Sequence, residues 1–136
     1  MDLFRWNEKY DTGIARIDEE HRNLVGLLNG LYRAMRAGKT NEPLEELLDE
    51  LIDYTRFHFA NEESLMSRYG YPGYAAHKLE HERMTQKVQE LQEQLAKGRI
   101  SLSIEVFQFL RNWLSNHILD IDQRYAPFLA ERDTRQ

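Results

Sequence analysis

Cysteine is absent from the 136-residue chain, which removes disulfides, thiolate metal ligands and cysteine nucleophiles from consideration. That absence also suits a reducing compartment. Positive charge is in short supply: 18 Lys and Arg stand against 23 Asp and Glu, a net charge of −5, so no basic footprint marks a nucleic-acid partner. Nothing in the chain approaches the roughly 18–20 apolar residues of a membrane span. The N-terminus, MDLFRWNEKYD, is charged and lacks the apolar stretch of a signal peptide. These absences lead us to expect a cytoplasmic protein with no nucleic-acid or membrane partner.

What is present is 41% hydrophobic and 30% charged residues, a balance that suits a soluble, mostly helical protein. The length suits one domain, 1–136, with a sizeable core. Residues 1–17 carry Phe4, Trp6, Tyr10 and Ile14 among polar residues, with Gly13 as a breaker, and read as an extended arm whose aromatics pack on the body. From Asp18 the apolar residues recur at three and four, which predicts a first helix over about 18–37 with Asp18 as N-cap and Gly38 as its stop. A second helix is expected over about 42–69, with Pro43 in its first turn and Gly70 after it. A third is expected over about 74–97, after Tyr71-Pro72-Gly73. A fourth is expected over about 103–126, capped by Ser101 or Ser103 and ended or kinked near Tyr125 by Pro127. Four such helices with short connections predict an all-α, up-down-up-down antiparallel four-helix bundle with an extended N-terminal arm.

All five histidines fall on the apolar stripes of these helices: His21 on the first, His58 on the second, His77 and His81 on the third, His117 on the fourth. A buried imidazole needs partners for both nitrogens, and the stripes otherwise offer almost only apolar atoms. Metal ligation resolves that cost. Antiparallel order brings all five to a common depth at one end of the bundle. Pairs four apart, His58 with Glu62 and His77 with His81, aim two donors at one point. Glu62 continues its stripe, whereas Glu63 lies about 100° off it and reads as solvated. On the fourth helix Asp120 and Asp122 flank the stripe about equally, so spacing does not choose between them. A ligand at Asp122, five after His117, would require a loosened turn of π type there. Five imidazoles with one or two carboxylates exceed a tetrahedral zinc site and suit two six-coordinate ions, for which iron is the natural candidate, although zinc could occupy the same ligands.

IDEEH at 17–21, HFANEE at 58–63, YP at 71–72, HKLEH at 77–81 and WLSNHILDID at 113–122, with the Trp6 arm, resemble the hemerythrin family, in particular its single-domain bacterial members. Myohemerythrin is itself a standard example of the up-down-up-down bundle, so the resemblance implies the fold as well. It also implies a di-iron centre: His77, His81 and His117 on one iron, and His21 and His58 on the other. Glu62 and Asp122 would bridge the two irons, together with an oxo or hydroxo group. The family pattern is what favours Asp122 over Asp120. The function implied is reversible dioxygen binding at the two-histidine iron, for storage, delivery to an oxygen-consuming enzyme, or scavenging, by a monomer that is not an enzyme. Leu24, Leu114 and Trp113 would line the oxygen pocket. Two residues depart from the family pattern: Glu20 stands where Gln is frequent, and Met84 where an aromatic is common.

Other readings carry less. HKLEH fits the H-x-x-E-H pattern of zinc hydrolases with Glu80 as general base, but leaves His21, His58 and His117 without a role. A ferritin-like oxidase or peroxidase needs Glu three residues before a ligand His, and none of the five has one. An oxygen or redox sensor would have to act through a separate partner, since the bundle uses nearly every residue.

Overall fold

The computed structural model describes residues 4–38, 41–98, 104–118 and 122–132. The expected cap, Ser101 or Ser103, and the alternative ligand Asp120 lie outside these residues. Among the described residues there is helix and no strand: a 3-10 turn at Glu8–Tyr10, then α1 (Ala15–Arg36), α2 (Asn41–Arg68), α3 (Tyr74–Ala96), α4 (Ile104–Asn116) and α5 (Asp122–Arg132). Helices α1 to α4 form the bundle, with α1 packed on α2 and α4, and α2 on α3. No described helix is long and apolar enough to cross a membrane.

Helix α1 begins earlier than expected because Asp18 is used differently. Ile14 occupies the cap position and offers no side-chain bond, while Asp18 sits in the first turn. There its carboxylate accepts from the Thr12 N–H at 2.7 Å and the Thr12 hydroxyl at 2.8 Å. An acidic side chain in a first turn is also favoured by the helix dipole. Asp18 thus ties the arm to the helix. At the far end of α2, the Tyr71 N–H reaches the Met66 carbonyl at 2.9 Å and the Gly70 N–H the Ser67 carbonyl at 3.3 Å. This reversal needs a left-handed residue, and Gly70 supplies it at φ +67°.

Pro127 does not end the last helix, which runs through it to Arg132. Upstream, residues 117–118 form a π-helical turn. Pro127 costs one backbone hydrogen bond, but it is exposed, so water can take the freed carbonyl. Beside it Tyr125, Ala126 and Leu129 are buried against Ile14, Ile17, Leu65 and Met66, and that packing holds α5 in place.

The apolar interior is therefore in two parts. One cluster, with Leu24, Leu28, Leu48, Leu51, Phe107 and Leu114, fills the length of the bundle. The other, closed by the arm and α5, plugs one end. Every chain passage crosses from one to the other, through His21 on α1, through His58 and Glu62 on α2, and through His77 and His81 on α3. The fourth passage crosses at His117 and Asp122. The polar residues form a layer between two apolar ones.

The arm reaches this body through a two-way clasp. Phe4 donates its N–H to the Asn29 side chain at 2.9 Å, and the Asn29 amide donates to the Phe4 carbonyl at 2.7 Å. Phe4 is buried, and its ring lies 5.2 Å from that of Tyr10. Asn29→Ala leaves both Phe4 backbone groups unpaired, so a loss of about 1–3 kcal/mol is expected, with faster amide exchange confined to the arm. Unchanged melting and exchange would show that the arm is held by its aromatics alone.

Candidate metal centre

Helical spacing places each inward side chain. His58 and Glu62 are one turn apart on α2, as are His77 and His81 on α3, so each pair projects from one face. His117 and Asp122 lie five apart. In an unbroken α-helix an interval of five turns the second residue well off the first one's face. The π-helical turn at 117–118 widens the helix at that point, and both residues face the layer.

The seven side chains are almost wholly buried: His77 is 4% exposed, His81 2%, and His21, His58, Glu62, His117 and Asp122 none. Their donor atoms converge. Glu62 Oε1 lies 3.1 Å from His58 Nε2, 3.2 Å from His81 Nε2 and 3.1 Å from His117 Nε2. Asp122 Oδ2 lies 2.6 Å from His21 Nε2 and 2.7 Å from His117 Nε2, while Oδ1 lies 3.0 Å from His77 Nε2. The atoms fall into two groups, each within 4.8 Å: His21, His58, Glu62, His117 and Asp122 in one, and Glu62, His77, His81 and Asp122 in the other. Both carboxylates belong to both groups.

This arrangement fits metal ions better than it fits hydrogen bonds. Glu62 Oε1, Asp122 Oδ1, His77 Nε2 and His81 Nε2 are buried without a hydrogen-bonding partner, although each has another of these atoms about 3 Å away. Left so, each would cost about 1–3 kcal/mol. Ligands held about 2.0–2.2 Å from a cation stand within about 4.4 Å of one another, and the contacts of 2.6 to 3.2 Å described above fall inside that limit.

The description "Hemerythrin HHE cation binding domain" matches residues 12–129. The chain belongs to the hemerythrin family. It is 33% identical to a bacteriohemerythrin of Methylococcus capsulatus, over 96% of this chain and 99% of that protein. It is 40% identical to a bacteriohemerythrin of Stenotrophomonas maltophilia, over 93% and 81%. A solved wild-type hemerythrin superimposes with a TM-score of 0.87 at 32% identity, covering 94% of this chain and 98% of that one.

One feature of this hemerythrin site differs from the partition that the sequence resemblance implies. By proximity of donor atoms His117 joins His21 and His58, not His77 and His81. Its ring nevertheless stands between the two sets, 5.4 Å from His58 and 5.3 Å from His81.

Around the layer, three polar contacts support the inner ones, and sequence spacing foresaw them unevenly. Glu63 is not simply solvated: at 21% exposure its carboxylate accepts from His81 Nδ1 at 2.8 Å. Glu20 accepts from His58 Nδ1 at 2.7 Å and from the Asn61 amide at 2.9 Å. The Tyr125 hydroxyl donates to Glu62 Oε2. Tyr125 was legible only as a helix-end residue, yet its position three after Asp122 places it on the same face of α5. Phe59, next to His58, was also overlooked. Its ring lies flat on His81 at 3.9 Å and 2°.

Leu24 and Leu114, each three residues from a histidine of the layer, are fully buried in the larger apolar cluster. Trp113 is buried as well, and its indole N–H donates to the Met84 carbonyl at 3.2 Å and joins α4 to α3. It also borders a surface groove with Arg83 and Phe109.

Burial and mutual charge spread the titrations widely. Burial holds His21 and His77 down at about 3, against the pull of Glu62. Burial opposes the charged form of His58 as well, but Glu62, Asp122 and Glu20 outweigh it and raise it to about 10. Glu62 is buried, yet His58 and His117 hold it well below the usual carboxylate range, whereas burial and the Glu62 charge push Asp122 well above it. In metal-free protein, His21 and His77 refuse protons that the unfolded chain accepts below its value of 6.5. Stability is therefore expected to fall as pH drops from 6.5 towards 3. His58 is constant over that window and Glu62 adds to the loss, while Asp122 opposes it alone. A chemical denaturation series across pH 7 to 4 checks this sign, and rising stability on acidification would contradict it.

Proposed function

We propose that this protein binds dioxygen reversibly at a non-heme, carboxylate-bridged di-iron centre. The observation that carries the reading is that Glu62 and Asp122 each belong to both donor groups, so that two ions held by the histidines would share both carboxylates. Following the family pattern, His77, His81 and His117 would hold one iron, and His21 and His58 the other. Bound there, the iron pair supplies electrons and an open coordination position to dioxygen.

The rest is the work of the chain. Seven ligands drawn from every passage of the bundle hold the site rigid. Leu24 and Leu114, one turn from His21 and His117, line the oxygen pocket with Trp113 at its edge, and keep water from the layer. A dry apolar wall disfavours the escape of charged, reduced oxygen species, which is what makes release as dioxygen competitive. An imidazole-rich set also suits binding better than the carboxylate-rich set of di-iron oxidases. The protein is thus a carrier, store or scavenger of oxygen and not an enzyme. We place it in the cytoplasm as a monomer, with an oxygen-consuming enzyme as a recipient.

The test is spectroscopic. Iron-loaded protein reduced without oxygen is expected to gain a near-ultraviolet absorption and a visible charge-transfer band on admission of air, and to lose both on deoxygenation. Bands that persist after oxygen is removed would show irreversible oxidation and contradict the reading.

A further inference from the structure

The imidazoles of the layer are not supported alike. His58 and His81, which belong to different donor groups, each have a carboxylate on Nδ1: Glu20 at 2.7 Å and Glu63 at 2.8 Å. Among the described residues, His21 and His117 have no hydrogen-bonding partner at Nδ1. The two carboxylates also differ in how firmly they are held. Glu20 is 13% exposed and both its oxygens are engaged, one by His58 and one by the Asn61 amide at 2.9 Å.

We propose that Glu20 is a positioning residue that sets the donor strength of His58. Its carboxylate fixes the Nδ1–H tautomer and leaves Nε2 as the donor that faces Glu62, 3.1 Å away. A charge-assisted hydrogen bond is about twice as strong as a neutral one, and a carboxylate on the outer nitrogen draws the imidazole towards its anionic form and strengthens it as a ligand. Because His21 in the same group has no such support, Glu20 is the carboxylate outside the ligand set that would stabilise the more oxidised metal on that side, beyond what Glu62 and Asp122 contribute. This rests on the two-metal reading above. It concerns how readily the oxygen-binding side is oxidised, not whether oxygen binds.

Glu20→Gln keeps an acceptor for His58 and removes the charge. Glu19→Gln makes the same charge change at an exposed neighbouring position and serves as the control. In zinc-loaded protein, Glu20→Gln is expected to leave His58 in the Nδ1–H tautomer, move that ring proton upfield in a nitrogen-15 correlation spectrum, and weaken zinc binding about tenfold. In iron-loaded protein the midpoint potential is expected to rise and autoxidation to slow severalfold. Glu19→Gln should match the parent in all of these. A His58 resonance and zinc affinity indistinguishable between Glu20→Gln and Glu19→Gln would overturn the proposal. Zinc readouts that move as expected in a protein showing no reversible oxygen spectrum would leave the role of Glu20 standing and remove the oxygen-binding reading instead.

Discussion

Burying five imidazoles and two carboxylates in one layer is the constraint on which everything else in this bundle depends. Unpaired, such groups oppose folding, and their mutual contacts of 2.6–3.2 Å leave four inward atoms without a hydrogen-bonding partner. Cations in their midst would turn the same atoms into ligands and remove that cost. The two apolar clusters then have a second role beyond stability. They fix the depth of the layer on every helix and seal it from both ends.

The last passage shows how the layer overrules local regularity. A continuous fourth helix would satisfy its backbone, yet it would set His117 and Asp122 on different faces. The chain instead adopts a π-helical turn at 117–118 and starts α5 at Asp122. Packing of Tyr125 and Leu129 then carries α5 through Pro127, where propensity alone would stop it. Tyr125 returns a hydroxyl to Glu62, so the plug that closes the end also braces a shared carboxylate.

The bundle and the convergence of the histidines were legible because both follow from periodicity, and periodicity is a backbone property that the sequence displays directly. His58 with Glu62 and His77 with His81 needed only the spacing of one turn. Less was legible where a side chain's task depends on the neighbouring helix. Glu63 lies off its own stripe and reads as solvated, but α3 brings His81 against it. Asp18 has the composition of a cap, and only the path of the arm turns it towards Thr12. Phe59 and Tyr125 looked like ordinary core and helix-end residues because a stacking or hydroxyl contact across helices leaves no mark in one strand of sequence. The grouping of His117 with His21 and His58 is of the same kind, set by where side chains meet across helices and not by spacing along one.

Iron-edge X-ray absorption on the loaded protein, with iron counted per chain, tests the central claim most directly. Two irons sharing Glu62 and Asp122 require about two irons per chain, imidazole scattering, and an iron–iron shell no farther than about 4 Å. One metal per chain with no metal–metal shell would contradict a shared-carboxylate pair and reduce the layer to a single site.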